Sequence, residues 1–199
     1  MSEWIERLMP HLMLAPIMLP MLTAALMLFL REERQRLKLG MNILSTTISL
    51  VIVVMLLSWT NQAGSAVTMS VYMPGNWPAP FGIALALDRL TALMLLVTYV
   101  VALAALVFSA ARWHKAGVHF HPLFQLQLMG LSGAFITADL FNLFVFFEIM
   151  LAASYGLLLH GSGSTRIQAG LHYIAINLAA SSLFLIGVSM LYGITGTLN

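Results

Sequence analysis

Between Leu140 and His160 the chain carries a single charged residue, Glu148. Apolar runs of this kind recur along the sequence. Six can be marked, at Leu8–Leu30, Met41–Trp59, Ile83–Ala110, Pro122–Thr137, Leu140–His160 and Ile167–Ile194. Runs of that length suit a lipid bilayer, where no water satisfies backbone N–H and C=O groups. Each run must then satisfy them internally, as a helix. A transmembrane barrel would need strands of alternating polarity, and the sequence lacks them. The sequence therefore predicts an all-α polytopic membrane protein of about six transmembrane helices. Charged residues make up only 8% of the chain, against about 25% in soluble domains.

The loops support the same count. Residues 31–40 carry Arg31, Arg34, Arg36 and Lys38, and residues 60–80 carry no Lys or Arg. Residues 111–121 carry Arg112 and Lys115, the turn at Asp139 carries neither type, and Arg166 follows His160. The positive-inside rule then places both termini outside and the loops after segments one, three and five in the cytoplasm. Net charge is only +2 despite a pI of 9.2, and no basic face exists, so nucleic acid is not an expected partner. Absence of cysteine excludes disulfides, iron–sulfur clusters and thiolate metal sites within this chain. Glu3 and Glu6 stand where a signal peptide needs positive charge, so the first run does not read as a cleaved signal. Prolines at 78 and 80 predict a rigid, extended loop over Gly75–Gly82, with Trp59 and Trp77 at interface level. Segments four and five, barely separated by Ala138 and Asp139, predict a tight helical hairpin.

Glu148 is the leading site residue. It falls near the middle of segment five, where an ionisable group costs at least ~2.5–3.5 kcal/mol, and such residues usually mark proton or ion pathways. The competing reading is a glutamate kept neutral and hydrogen-bonded for structure. Asp139 and Asn142 read first as helix capping and second as a proton entry or exit point. Asp88 and Arg89 read as headgroup anchors or as charges bonding different partners. His114, His119 and His121 offer a weak metal reading, with no carboxylate nearby in sequence. His160 and His172 offer a weaker haem reading, and His172 also a relay role. No metal and no cofactor is expected. Asn177 and Ser181, four apart, share a helix face and read as helix–helix glue or as a hydrated wire towards Glu148. Gly130 and Gly133 read as close-packing positions, and the fourteen methionines as flexible filling.

Several motifs resemble one family. They are Trp77-Pro78-Ala79-Pro80-Phe81-Gly82-Ile83 followed by Asp88-Arg89-Leu90, then His121-Pro122-Leu123-Phe124-Gln125, Asp139-Leu140-Phe141-Asn142-Leu143-Phe144-Val145-Phe146-Phe147-Glu148, and Asn177-Leu178-Ala179-Ala180-Ser181-Ser182. Together they resemble the D subunit of Mrp-type, multi-subunit cation/proton antiporters. That subunit is related to the antiporter-like, proton-pumping subunits of respiratory complex I. The resemblance implies a secondary antiporter coupling protons to Na⁺ or K⁺, working in a cell membrane with other membrane subunits as partners. It implies that Glu148 carries protons and pairs with a lysine on a seventh, discontinuous helix. The present sequence stops just after segment six, and family members are more than twice as long. The chain thus reads as an N-terminal portion, with helices one to three in 1–121 and an incomplete proton-channel repeat in 122–199. Two alternatives stay open. One is a membrane subunit of a complex I-type or hydrogenase-type oxidoreductase, so that enzyme membership is undecided. The other is a truncated chain without transport of its own.

Overall fold

A computed structural model describes residues 9–62, 69–77, 82–111, 113–161 and 163–199. Glu3, Glu6, Arg112, residues 78–81 of the Pro-rich loop with both of its prolines, and the side chains of His114 and Lys115 lie outside the described residues. Six main helices follow in order: α1 (Ala15–Phe29), α2 (Gln35–Gln62), α3 (Arg89–Ala110), α4 (Phe120–Ile136), α5 (Leu140–Leu158) and α6 (Ser164–Thr195). Four of them, α2, α3, α5 and α6, are long and apolar enough to cross a membrane. Helix α1 is apolar but spans only 15 residues, and α4 spans 17, about 26 Å at 1.5 Å per residue.

One element departs from the sequence reading. The third apolar run does not begin as helix at Ile83. Instead Leu85–Asp88 forms a short strand, β2, antiparallel to β1 at Met69–Tyr72, with Met69 opposite Asp88 and Tyr72 opposite Leu85. Leu85 and Leu87 point into the core while Ala86 and Asp88 stay partly open. The four-residue alternation is too short to stand out against the apolar run that follows it. Asp88 then ends the strand and caps α3, accepting from the Thr91 N–H at 2.7 Å. Gly82 sits so close to the Trp77 carbonyl that a Cβ would collide with it.

Helix α4 organises the packing. It lies most closely against α5 and then α1, while α2 pairs mainly with α3. The α4–α5 contact needs glycine, because a Cβ at Gly130 would fall 2.8 Å from the Met150 Cβ, and one at Gly133 would enter the Phe146 ring. Thr137 to Asp139 closes the expected tight hairpin, and its Ala138 N–H bonds the Ala84 carbonyl at 2.9 Å. Tyr99, Leu95, Leu128, Ile136 and Phe146 belong to one apolar core shared by α3, α4 and α5. Helix α6 rests on α5 and buries little beyond Gly170 and Val188.

Helix α2 is inside out relative to a helix in water. Lys38, Asn42, Ser45, Thr46 and Ser49 are buried, while Leu44, Ile48, Val51 and Val54 are exposed. The buried set follows helical spacing on one face. When the outer solvent is lipid, apolar groups can face outward at little cost, and polar groups must find each other inside. The basic run at residues 31–40 also changes character. Lys38 belongs to the first turn of α2 and is 2% exposed, rather than standing free in a loop.

Candidate functional site

Glu148 occupies the middle of α5. It is half-buried, and its Oε1 is enclosed without a hydrogen-bond partner. Among the described residues no cation pairs with it. Tyr155, seven residues on and therefore on the same helix face, has a buried hydroxyl that also lacks a partner. This hydroxyl lies within electrostatic reach of Glu148. Its ring meets Tyr173 of α6 edge-on at 5.7 Å between centroids. An unmatched buried oxygen costs roughly 1–3 kcal/mol, and two of them stand on this face. Both can donate a hydrogen bond, accept one, or exchange a proton.

Next to this face, α5 and α6 enclose a groove of about 310 Å³ lined by Phe144, Phe147, Met150, Leu151, Asn177 and Ser181 among others. Asn177 and Ser181 line it, yet their hydrogen bonds turn back into their own helix, to Tyr173 O at 2.9 Å and Leu178 O at 3.3 Å. Phe184 stacks on Phe144 and meets Phe147 edge-on, closing the groove with aromatic surface.

The structure separates the other residues singled out from the sequence. Asp139 caps α5, accepting from the Asn142 N–H at 2.6 Å. Asn142 in turn donates to Thr137 Oγ1 at 2.9 Å. Asp139 also lines a recess of about 420 Å³ with Thr137, Leu143, Thr195 and Thr197. It stands nine residues before Glu148, about 13 Å along the axis. His172 is exposed on α6 and bonds the Gln168 carbonyl at 3.0 Å. No described contact joins Asp139 or His172 to Glu148. His160 is buried at the far end of α5. Its Nε2 meets the Trp113 carbonyl at 2.9 Å, and Arg166 lies over the Trp113 ring while donating to the His160 carbonyl. At the opposite end, the Thr91 N–H holds the Asp88 carboxyl below the usual carboxylate range.

A second polar group was not foreseen. Gln125 Nε2 donates to Asn42 Oδ1 at 2.8 Å and approaches Thr46 Oγ1 at 3.2 Å. Asn42 Nδ2 meets His121 Nδ1 at 3.1 Å. Deeper in, the Tyr99 hydroxyl donates to the Pro16 carbonyl at 2.9 Å and meets Ser132 Oγ at 3.0 Å. Pro20, four residues after Pro16, has no N–H to take that carbonyl within α1. Ser45 accepts from Thr23 at 2.9 Å. The spacing of Asn42, Ser45, Thr46 and Ser49, with Gln125 and Ser132 seven apart on α4, is the signal that would have found this group.

Comparison with known proteins agrees with this architecture. Residues 137–199 match the family model described as NADH:quinone oxidoreductase/Mrp antiporter, TM. The whole chain is 56% identical to the D subunit of a probable K(+)/H(+) antiporter from Rhizobium meliloti (strain 1021), covering 36% of that protein. It is 37% identical over 96% of its length to the D subunit of the Na(+)/H(+) antiporter from Bacillus subtilis (strain 168), covering 38% of it. Among solved structures, the Mrp complex from Dietzia sp. DQ12-45-1b matches 96% of the chain with a TM-score of 0.88 at 35% identity, over 36% of the matched chain. The membrane-bound sulfane sulfur reductase, an archaeal respiratory membrane complex, matches 94% with a TM-score of 0.79 at 28% identity, over 37% of the matched chain. The chain thus spans a little over a third of the length of these relatives. Over that span it is similar to the D subunits of named cation/proton antiporters and to a chain of a solved Mrp complex.

Proposed function

We propose that this chain is part of a membrane subunit of a secondary monovalent cation/proton antiporter, exchanging Na⁺ or K⁺ against protons, and that Glu148 carries the proton. The observation behind this reading is the unmatched, buried Oε1 of Glu148 at the centre of an apolar helix. In a chain so similar to named antiporter subunits, a group this costly is best explained by transport. Glu148 takes up a proton as carboxylic acid and releases it as carboxylate. Tyr155 lends a hydroxyl to the same face. Asp139, at the recess, serves as the entry or exit end, and His172 as a relay at the opposite end. The working unit contains other membrane subunits and sits in the cell membrane. Both termini face outside, by the Lys/Arg bias of the loops. Residues 1–121 brace the subunit, and 122–199 contribute to a proton-channel repeat.

The second reading is a proton-pumping membrane subunit of an oxidoreductase complex. It is supported by the likeness to the sulfane sulfur reductase and by the family description. The higher identity and TM-score of the antiporter relatives favour the first.

Glu148→Gln tests the reading, because Gln keeps size and hydrogen bonding but holds no exchangeable acid proton. In the assembled transporter, cation-dependent proton flux should disappear while assembly persists. Flux at the wild-type rate from a normally assembled Glu148→Gln complex would refute it.

A further inference from the structure

Helices α2 and α4 share a polar seam whose hydrogen bonds fall into two sets. In the first, Gln125 Nε2 donates to Asn42 Oδ1 at 2.8 Å and faces Asn42 O at 3.3 Å, while Asn42 Nδ2 faces the His121 carbonyl at 3.4 Å. Backbone carbonyls only accept, so both amides are held in this order. Thr46 Oγ1 lies 3.2 Å from Gln125 Nε2 and donates to the Asn42 carbonyl at 2.8 Å. In the second set, the Tyr99 hydroxyl gives its proton to the Pro16 carbonyl at 2.9 Å. Ser132 Oγ, 3.0 Å away, is then the donor in its contact with the Tyr99 oxygen.

Only a short step separates the two sets. Ser49 stands three residues after Thr46 on the buried face of α2, about 4.5 Å along the axis. It is close enough to Tyr99 to act on that hydroxyl, yet its own Oγ is enclosed and makes no hydrogen bond. Thr23 and Thr46, also buried, turn their hydroxyls onto carbonyls four residues back, whereas Ser49 does not. Gln125 Oε1 is likewise enclosed without a partner. On α4 the buried side chain between Gln125 and Ser132 is Leu128, which offers no polar atom. Gln125 and Ser49 are both 0% exposed, so bulk solvent does not reach either oxygen, and lipid tails offer no donor.

We infer that the seam binds water at this step. The water donates to Gln125 Oε1 and bonds Ser49 Oγ, which leaves the Ser49 proton or the water's second proton for the Tyr99 oxygen. The two sets then form one hydrogen-bonded path from Asn42 to Tyr99. The donor that Gln125 Oε1 lacks cannot come from turning an amide, because the Asn42 and His121 carbonyls hold the order. A buried water takes about two to four polar partners, and the two free oxygens already supply that minimum. Two free oxygens do not replace the hydration shell of Na⁺ or K⁺, so the site takes water rather than a bare cation. The path starts one turn from Lys38, which is nearly buried, and ends at Tyr99 near the middle of α3. No described contact joins it to Glu148, and the inference does not depend on the antiporter reading.

Water-edited solid-state NMR of the isotope-labelled full chain in lipid bilayers tests the site. Magnetisation started on water should reach the Gln125 side-chain amide and the Ser49 Cβ several-fold faster than it reaches Val53 and Leu56. Those two residues are equally buried on the same face of α2 but wholly apolar. Ser49→Val puts methyl groups in place of the hydroxyl, and should slow transfer to Gln125 to the Val53 rate while the other resonances keep their positions. Wild-type transfer to Ser49 and Gln125 no faster than to Val53 would overturn the inference, and this arm needs no variant to fold. Unchanged transfer to Gln125 in a folded Ser49→Val would overturn it as well.

Discussion

Replacing Tyr99 by Phe tests how the interior compensates a proline-broken helix. Tyr99 is 0% exposed, and its hydroxyl donates to Pro16 O and meets Ser132 Oγ. Pro20 cannot supply the N–H that would otherwise take the Pro16 carbonyl. Losing the hydroxyl removes two interhelical hydrogen bonds, worth about 0.6 kcal/mol each in membrane bundles. It also strands a buried carbonyl, at about 1 kcal/mol or more. Tyr99→Phe should therefore destabilise by about 2 kcal/mol. In a Pro20→Ala background, the substituted alanine restores the missing N–H, and the stranded-carbonyl share should vanish. The double-mutant cycle should then show a coupling of about 1 kcal/mol, read from denaturant unfolding of the full chain in lipid nanodiscs. An equal Tyr99→Phe loss in both backgrounds would refute the reasoning.

Three further outcomes follow from the same contacts. Gly133→Leu should separate α4 from α5 by forcing a side chain into the Phe146 ring. It should cost about 2–3 kcal/mol or prevent folding, seen as a lowered unfolding midpoint. Asp88→Ala should lose about 1 kcal/mol of capping at neutral pH. Because the Asp88 carboxyl lies below its usual 3.8, this difference should hold above that pH and shrink as pH falls further through the folded value, as followed by acid titration of both proteins. Single cysteines at Glu33 and Met73, both exposed, should label from opposite sides, Met73→Cys from outside. Labelling of Glu33→Cys from outside would invert the proposed topology.

Helix existence was legible because the bilayer leaves the backbone one solution, and apolar runs announce it. The ends were less so. Helix α2 begins at Gln35 among charged residues, where a hydropathy reading stops at Met41. Asp139 as a cap was readable from residue type and position, since a short polar side chain before an apolar run satisfies free N–H groups. The β1–β2 pairing was hidden, because four residues of alternation carry little signal and their partner lies across a proline-rich loop. The buried face of α2 was written in its spacing, but polar residues in apolar runs announce only that they need partners. Which partners they find depends on helix packing, and Asn42 meeting Gln125 and His121 is a tertiary fact.

The two polar groups differ in a way that bears on their roles. Around Asn42 the amides, Thr46 and His121 bond one another, although Gln125 Oε1 and Ser49 Oγ are buried without a partner, and these bonds hold α2 against α4. Glu148 Oε1 and the Tyr155 hydroxyl are enclosed with no such compensation, in a stretch where charge is already costly. Packing alone would favour Leu at 148 and Phe at 155, each of similar size and without the stranded oxygen. A chain that keeps both oxygens gives up stability for something other than the fold. Exchange of a proton is the chemistry these two groups share. For that reason Tyr155→Phe in the assembled transporter should raise or preserve stability while slowing cation-dependent proton flux. A Tyr155→Phe complex that is destabilised yet transports at the wild-type rate would show that its hydroxyl belongs to the packing.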